Sequence, residues 1–221
     1  MTHLDSSIHQ LKESLIEMHR LVRMQVSKCR DAYARFDTDL AREVISNEKH
    51  INALELKIDR DCENMLALFN PVAVDLRFIL AALKINTNLE RTSDNAEGIA
   101  RYVLDLGKPF SEEIQKDYEV EEMFRVAIGM VDDATEAFIH EDTALARKVF
   151  QKDDLLDAIN RKATQTTLRY IAENRPDSLH YLNTMSIIRK LERVGDQTKN
   201  VGEEIIFYIE AKVLKHGSPN Q

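Results

Sequence analysis

Apolar residues recur along this chain at alternating steps of three and four. Leu4, Ile8, Leu11, Leu15, Met18, Val22 and Val26 follow that spacing near the N-terminus, which places them on one face of a helix with about 3.6 residues per turn. Asp37 and Thr38 then supply short side-chain oxygens for the unpaired amides that open a second helix, running to about Leu68. Asn70-Pro71 ends it, because a proline turns the residue before it away from helical backbone. A third helix is predicted from about Ala73 to Leu106, with Ala82, Ile85, Leu89, Thr92, Ala96, Ile99, Val103 and Leu106 on one face.

The pattern then starts again. Sliding the chain by 105 positions lays Asp37-Thr38-x-Leu40-Ala41-Arg42-x-Val44 on Asp142-Thr143-x-Leu145-Ala146-Arg147-x-Val149 without a gap. Met18, Arg20, Val26, Ala32 and Pro71 match Met123, Arg125, Val131, Ala137 and Pro176 at the same shift. Further on the shift falls to 102, where Leu89-Glu90-Arg91-x-x-Asp94 lies on Leu191-Glu192-Arg193-x-x-Asp196. An internal repeat of this length marks tandem structural units. The expectation is an all-α protein of two tandem three-helix bundles, six long helices in all, with residues 1–107 forming the first repeat, 108–216 the second and 217–221 a tail. Short connections make sequential helices antiparallel neighbours.

Composition agrees with that architecture. Six Gly and four Pro in 221 residues lie well below the roughly 12% those two residues usually hold, which argues against a turn-rich sandwich or barrel. Charged residues make up 31% of the chain, and no apolar run approaches the ~18 residues of a membrane-crossing helix. The opening MTHLDSSIHQ lacks the basic-then-apolar pattern of a secretion signal. Cys29 and Cys62 are far apart and outside any CxxC spacing, which disfavours a disulfide framework or a thiolate zinc site. A reducing, cytoplasmic setting is the expectation. The net charge of −8 argues against nucleic acid as a partner, since that contact relies on excess Lys and Arg. Carboxylates are in surplus, and cations are their complement.

The acids fall into sets. Glu90 and Asp94 lie one turn apart on the third helix, off its apolar stripe, while Glu48, Asn52, Glu55 and Asp59 form a narrow arc on the second. Folding the pair about Pro71 brings Asn52 opposite Glu90 and Glu48 opposite Asp94. In the second repeat Asp153, Asp157 and Asn160 take the places of Glu48, Asn52 and Glu55, facing Glu192 and Asp196, and Thr164 replaces Asp59. Carboxylates that meet repel one another unless a proton or cation lies between them, and clustered oxygen donors suit Mg, Ca, Mn or iron. One metal site per bundle is the expectation. The plainer alternative is a pair of solvated helix faces, with Arg91 and Arg193 as ordinary surface counter-charges worth little.

Other chemistry is thin. No Glu has a His three residues later, as a di-iron bundle core would require, and Gly-rich phosphate loops, GxSxG and HExxH are absent. Gly195 and Gly202 read as sites of close helix packing, and Met18, Met24, Met123 and Met130 as core fillers.

At these residues the sequence resembles the PhoU family of phosphate-transport accessory and regulatory proteins. The resemblance rests on the tandem repeat, on Asn70-Pro71-x-Ala73-x-Asp75-Leu76-Arg77 opening the third helix, and on the two Leu-Glu-Arg-x-x-Asp copies. It implies a cytoplasmic, non-enzymatic protein, often a homodimer. It further implies negative control of the phosphate-starvation response, by coupling a phosphate ABC transporter, through its ATPase subunit, to a sensor histidine kinase; membrane association would come through those partners only. It also implies metal bound at the Glu/Asp-x-x-x-Asp motifs, here Glu90 with Asp94, Glu192 with Asp196, Glu55 with Asp59 and Asp153 with Asp157. Iron, including multinuclear clusters, is the implied metal, with Mn, Mg, Ca and Zn as alternatives. The other functional classes weighed are a metal-dependent phosphohydrolase, for which the sequence offers no evident nucleophile or general base beside the acids, and a purely structural helical adaptor.

Overall fold

The computed structural model describes residues 2–173 and 178–214. Pro176 and the proposed tail at 217–221 lie outside the described residues. Among the described residues seven helices follow one another: α1 (His3–Arg35), α2 (Thr38–Phe69), α3 (Ala73–Asp105), α4 (Glu112–Asp117), α5 (Val120–His140), α6 (Thr143–Ala172) and α7 (Ser178–Glu210). There is no strand among the described residues, and none of their helices is long and apolar enough to cross a membrane.

Of the expected pair Asp37 and Thr38, Asp37 is the cap and Thr38 the first helical residue, and a further cap opens α1. Thr2 and Asp5 form a capping box on α1, each accepting the other's backbone N–H, at 3.1 and 2.7 Å. Asp37 accepts from the amides of Asp39 and Leu40 at the start of α2, and Asp142, 105 positions on, accepts from Ala144 and Leu145 at the start of α6. The repeat extends to the backbone: Phe36 and Glu141, which precede those caps, are both left-handed, at φ 51° and 52°.

The count of helices departs from six. The first helix of the second repeat is divided into α4 and α5 by Glu119 at φ 52°. Burial of Tyr118 fixes the break: its hydroxyl meets that of Thr167 at 2.8 Å, and its ring packs edge-on against Tyr170. Phe110, in the linker before α4, lies on Tyr33 at 4.2 Å between ring centroids. The linker and α4 thereby close the ends of α1, α6 and α7.

Helices α1, α2 and α3 pack as one bundle and α5, α6 and α7 as the other. The bundles join through equivalent helices running antiparallel. On α3 and α7, Phe78 meets Tyr208, Lys84 pairs with Glu204 at 3.1 Å and Asn88 accepts from Asn200. On α1 and α5, Lys12 pairs with Glu141, His19 bonds Thr135 and Arg23 pairs with Asp132. These pairings describe a pseudo-twofold relation between the repeats. A single continuous core runs through both bundles, leaving α2 and α6 as outer helices. Met18, Met123 and Met130 lie in that core, whereas Met24 is 38% exposed.

Candidate metal centre

The acid arcs meet along the α2–α3 groove. Glu48 Oε, Glu90 Oε and Asp94 Oδ atoms lie within 4.8 Å of one another. The hairpin turn at Asn70, left-handed at φ 46°, sets this register, and the Glu48–Asp94 juxtaposition is the one expected from folding about Pro71. Asp94 is exposed and Glu90 half-buried, but Glu48 is only 6% exposed. Its Oε2 accepts from the Ser93 hydroxyl at 2.6 Å, while its Oε1 is buried without a hydrogen-bond partner among the described residues.

Proton affinities record the crowding. Burial, then the charges of Asp94 and Glu97, push the Glu48 carboxyl up to about 7 against the donated bond from Ser93. Burial, then Asp94, Glu55 and Glu48, push Glu90 up to about 7, with Arg91 opposing. Glu55 is also raised, by burial and by the charges of Asp59 and Asp94. An unpartnered buried carboxylate oxygen beside two further carboxylates is a donor set that a hard cation fits: oxygen only, negatively charged and partly shielded from water.

The remaining predicted residues of this bundle lie at the margin. Asn52 is exposed one turn beyond Glu48. Asp59 is engaged elsewhere, accepting from Asn86 Nδ2 at 2.9 Å while the same amide also bonds the Glu55 carbonyl at 3.0 Å. The repeat changes this pair together, with Thr164 and Ile188 standing in place of Asp59 and Asn86.

The second bundle is arranged differently. Among the described residues, Glu48, Glu90 and Asp94 are the group of three acids or other metal-ligating side chains that converge so closely; Asp153, Asp157, Glu192 and Asp196 do not. Asp153 is 4% exposed, and its Oδ2 accepts from the Lys199 ammonium at 2.5 Å. Burial raises Glu192 and Asp196, with neighbouring acids adding to it; Lys199 opposes the shift at Asp196 and Arg193 opposes it at both. Asp157 is half-buried, 3.9 Å from Arg161. The Asn160 side-chain oxygen is buried without a partner, and Thr164 donates to the Asn160 carbonyl.

Three residues of these sites escaped the sequence reasoning: Ser93, Glu97 and Lys199. The signal was present in the 102-residue shift, which lays Ser93 on Gly195 and Glu97 on Lys199. At Gly195 a Cβ would collide with Leu156 Cδ1 and approach Asp153 Oδ1 to 3.5 Å. No side chain fits where Ser93 holds Glu48 in the first repeat.

Comparison with known proteins gives the same two units. The PhoU domain model matches residues 15–103 and again 120–205. The chain is 34% identical over 214 residues to the phosphate-specific transport system accessory protein PhoU homolog of Aquifex aeolicus, covering 96% of each chain. It is 32% identical over 218 residues to the homolog of a Burkholderia species, covering 98% of this chain and 93% of that protein. The crystal structure of PhoU from Pseudomonas aeruginosa superposes with a TM-score of 0.88 at 30% identity, over 95% of this chain and 100% of that one. That of the phosphate transport system regulatory protein PhoU from Streptococcus pneumoniae gives 0.86 at 25% identity, over 96% and 99%. With its two matched units, its acid-bearing hairpins and these relatives along nearly its whole length, the chain belongs to the PhoU family.

Proposed function

We propose that this protein is a metal-binding regulator of phosphate uptake, a non-enzymatic adaptor that couples a phosphate ABC transporter to a sensor histidine kinase and restrains the phosphate-starvation response. The names of its relatives, accessory proteins of a phosphate-specific transport system, support the setting. The observation that carries the metal part is the convergence of buried Glu48 with Glu90 and Asp94.

Glu48, Glu90 and Asp94 would hold the ion, with Glu55 within electrostatic reach. The cation supplies charge neutralisation; the residues supply the rest. Without it, helices α2 and α3 bring together carboxylates that repel, and protonation is their other relief. With a cation bound, Glu48 on α2 and Glu90 and Asp94 on α3 would hold the two helices together, so that their outer faces would present one stiff surface to the transporter's ATPase subunit or the kinase. Iron, Mn, Mg and Ca all suit a set of carboxylate oxygens; Zn suits it less well, having no thiolate or imidazole here.

A pull-down from phosphate-replete cells tests the adaptor reading. The wild-type chain should retain the transporter ATPase subunit and the kinase, and the double variant Glu90→Gln/Asp94→Asn should lose at least one of them while keeping its helical content. Capture of neither by the wild-type chain would contradict it.

A further inference from the structure

The two repeats handle the same electrostatic problem with different groups. In the first bundle Glu48 has a hydroxyl donor, Ser93, and an acid, Glu97, whose charge adds to the crowding at Glu48 and which pairs with Arg101 at 2.6 Å. In the second, the position equivalent to Glu97 is Lys199, and its ammonium lies 2.5 Å from Asp153, the counterpart of Glu48. The position equivalent to Ser93 is Gly195, which leaves Asp153 without the hydroxyl. Asp153 Oδ1 is still buried and unpartnered, so the second pocket keeps one free donor oxygen.

We propose that the Lys199 ammonium is the built-in cation of the second bundle, so that this chain holds metal on its first bundle only. The inference rests on the metal reading of that first bundle. A lysine ammonium beside a buried carboxylate supplies the positive charge that burial demands, and it occupies the approach a metal ion would use. It also repels any second cation brought to Asp196 and Asp157, whose charges it already feels. Asp153 is then permanently offset by a fixed positive charge, where Glu48 of the first bundle has only a proton or a bound cation to offset it. Lys199 at the position of Glu97 supplies the charge that distinguishes the two sites, and Gly195 at the position of Ser93 removes the competing donor.

Calorimetric titration with Mn²⁺, with the folded state of each variant checked by circular dichroism, tests this. Wild type should show one class of site, lost in Glu90→Gln/Asp94→Asn. Lys199→Gln should add a second class that survives in combination with Glu90→Gln/Asp94→Asn, whereas Lys199→Arg, which keeps the charge, should add none. Wild-type binding that survives Glu90→Gln/Asp94→Asn and disappears with Asp153→Asn/Asp196→Asn would overturn the proposal, as would a folded Lys199→Gln chain with no added site. A second arm needs no metal. In excess chelator, Lys199→Gln should lower the melting temperature by several degrees, and adding Asp153→Asn should restore most of it. No loss in that arm would overturn the role of Lys199 even if the first bundle binds Mn²⁺. Loss and rescue there, with no Mn²⁺ bound by any variant, would instead overturn the metal reading and with it the single-site claim, leaving Lys199 as the counter-charge of Asp153.

Discussion

Glu48 carries most of the chemistry of the site because its two oxygens are treated differently. Oε2 accepts from Ser93, and Oε1 is buried with no donor among the described residues and with the Asp94 carboxyl close by. Glu48 and Glu90 are both held at about 7, above the ordinary 4.5, so the metal-free chain takes up protons at these groups when it folds. A group of this kind stabilises the fold most below its unfolded value, and that stability is lost as pH rises from about 4.5 through about 7. Metal-free melting temperature should therefore fall from about pH 5 to about pH 8, and the fall should be shallower in Glu48→Gln, measured in chelator by circular dichroism. Stabilisation by added Mn²⁺ should grow over the same window, because protons compete for the same oxygens. A metal-free wild type no steeper than Glu48→Gln would show that Glu48 is not held in this way. Periodicity placed Glu48, Glu90 and Asp94 on facing helices, but not the depth at which Glu48 sits. That depth depends on Ser93 across the groove, and a helical stripe reports direction around its own axis, not what stands opposite. Lys199 was hidden for the same reason: its partner is 46 positions away on another helix.

At the scale of elements, the stripes, the aspartate caps and the Asn70-Pro71 turn were legible because each is a local property of a few residues. Division of the fourth long helix was not, since it depends on Tyr118 and Phe110 packing against distant rings. The two glycines of α7 answer to close packing, as their spacing suggested. At Gly202 a Cβ would stand 3.2 Å from the Ala146 carbonyl oxygen on α6, a backbone atom with no rotamer to yield. Gly202→Leu should therefore cost about 3 kcal/mol through overpacking, against a helix-propensity gain of about 1 kcal/mol. Urea unfolding should show the midpoint lowered. An unchanged midpoint would mean that α6 and α7 move apart freely and that the Gly202–Ala146 approach does not limit side-chain size.

At the scale of the whole molecule, the repeat predicted two bundles and the core unites them through α3 with α7 and α1 with α5. That pairing was out of reach of a one-dimensional pattern, because α3 buries residues around more than one face and the stripe read from sequence covers only one. Symmetry of fold has not kept symmetry of charge: among the described residues the first bundle gathers three carboxylates without a paired ammonium, and in the second Lys199 pairs with Asp153. Elemental analysis and thermal denaturation of the purified chain in iron or Mn²⁺ decide the matter most directly. Bound metal together with a raised melting temperature, both abolished by Glu90→Gln/Asp94→Asn, is the predicted result, since a ligand that binds only the folded state stabilises it. A chain without bound metal whose melting curve is indifferent to either ion would contradict the account.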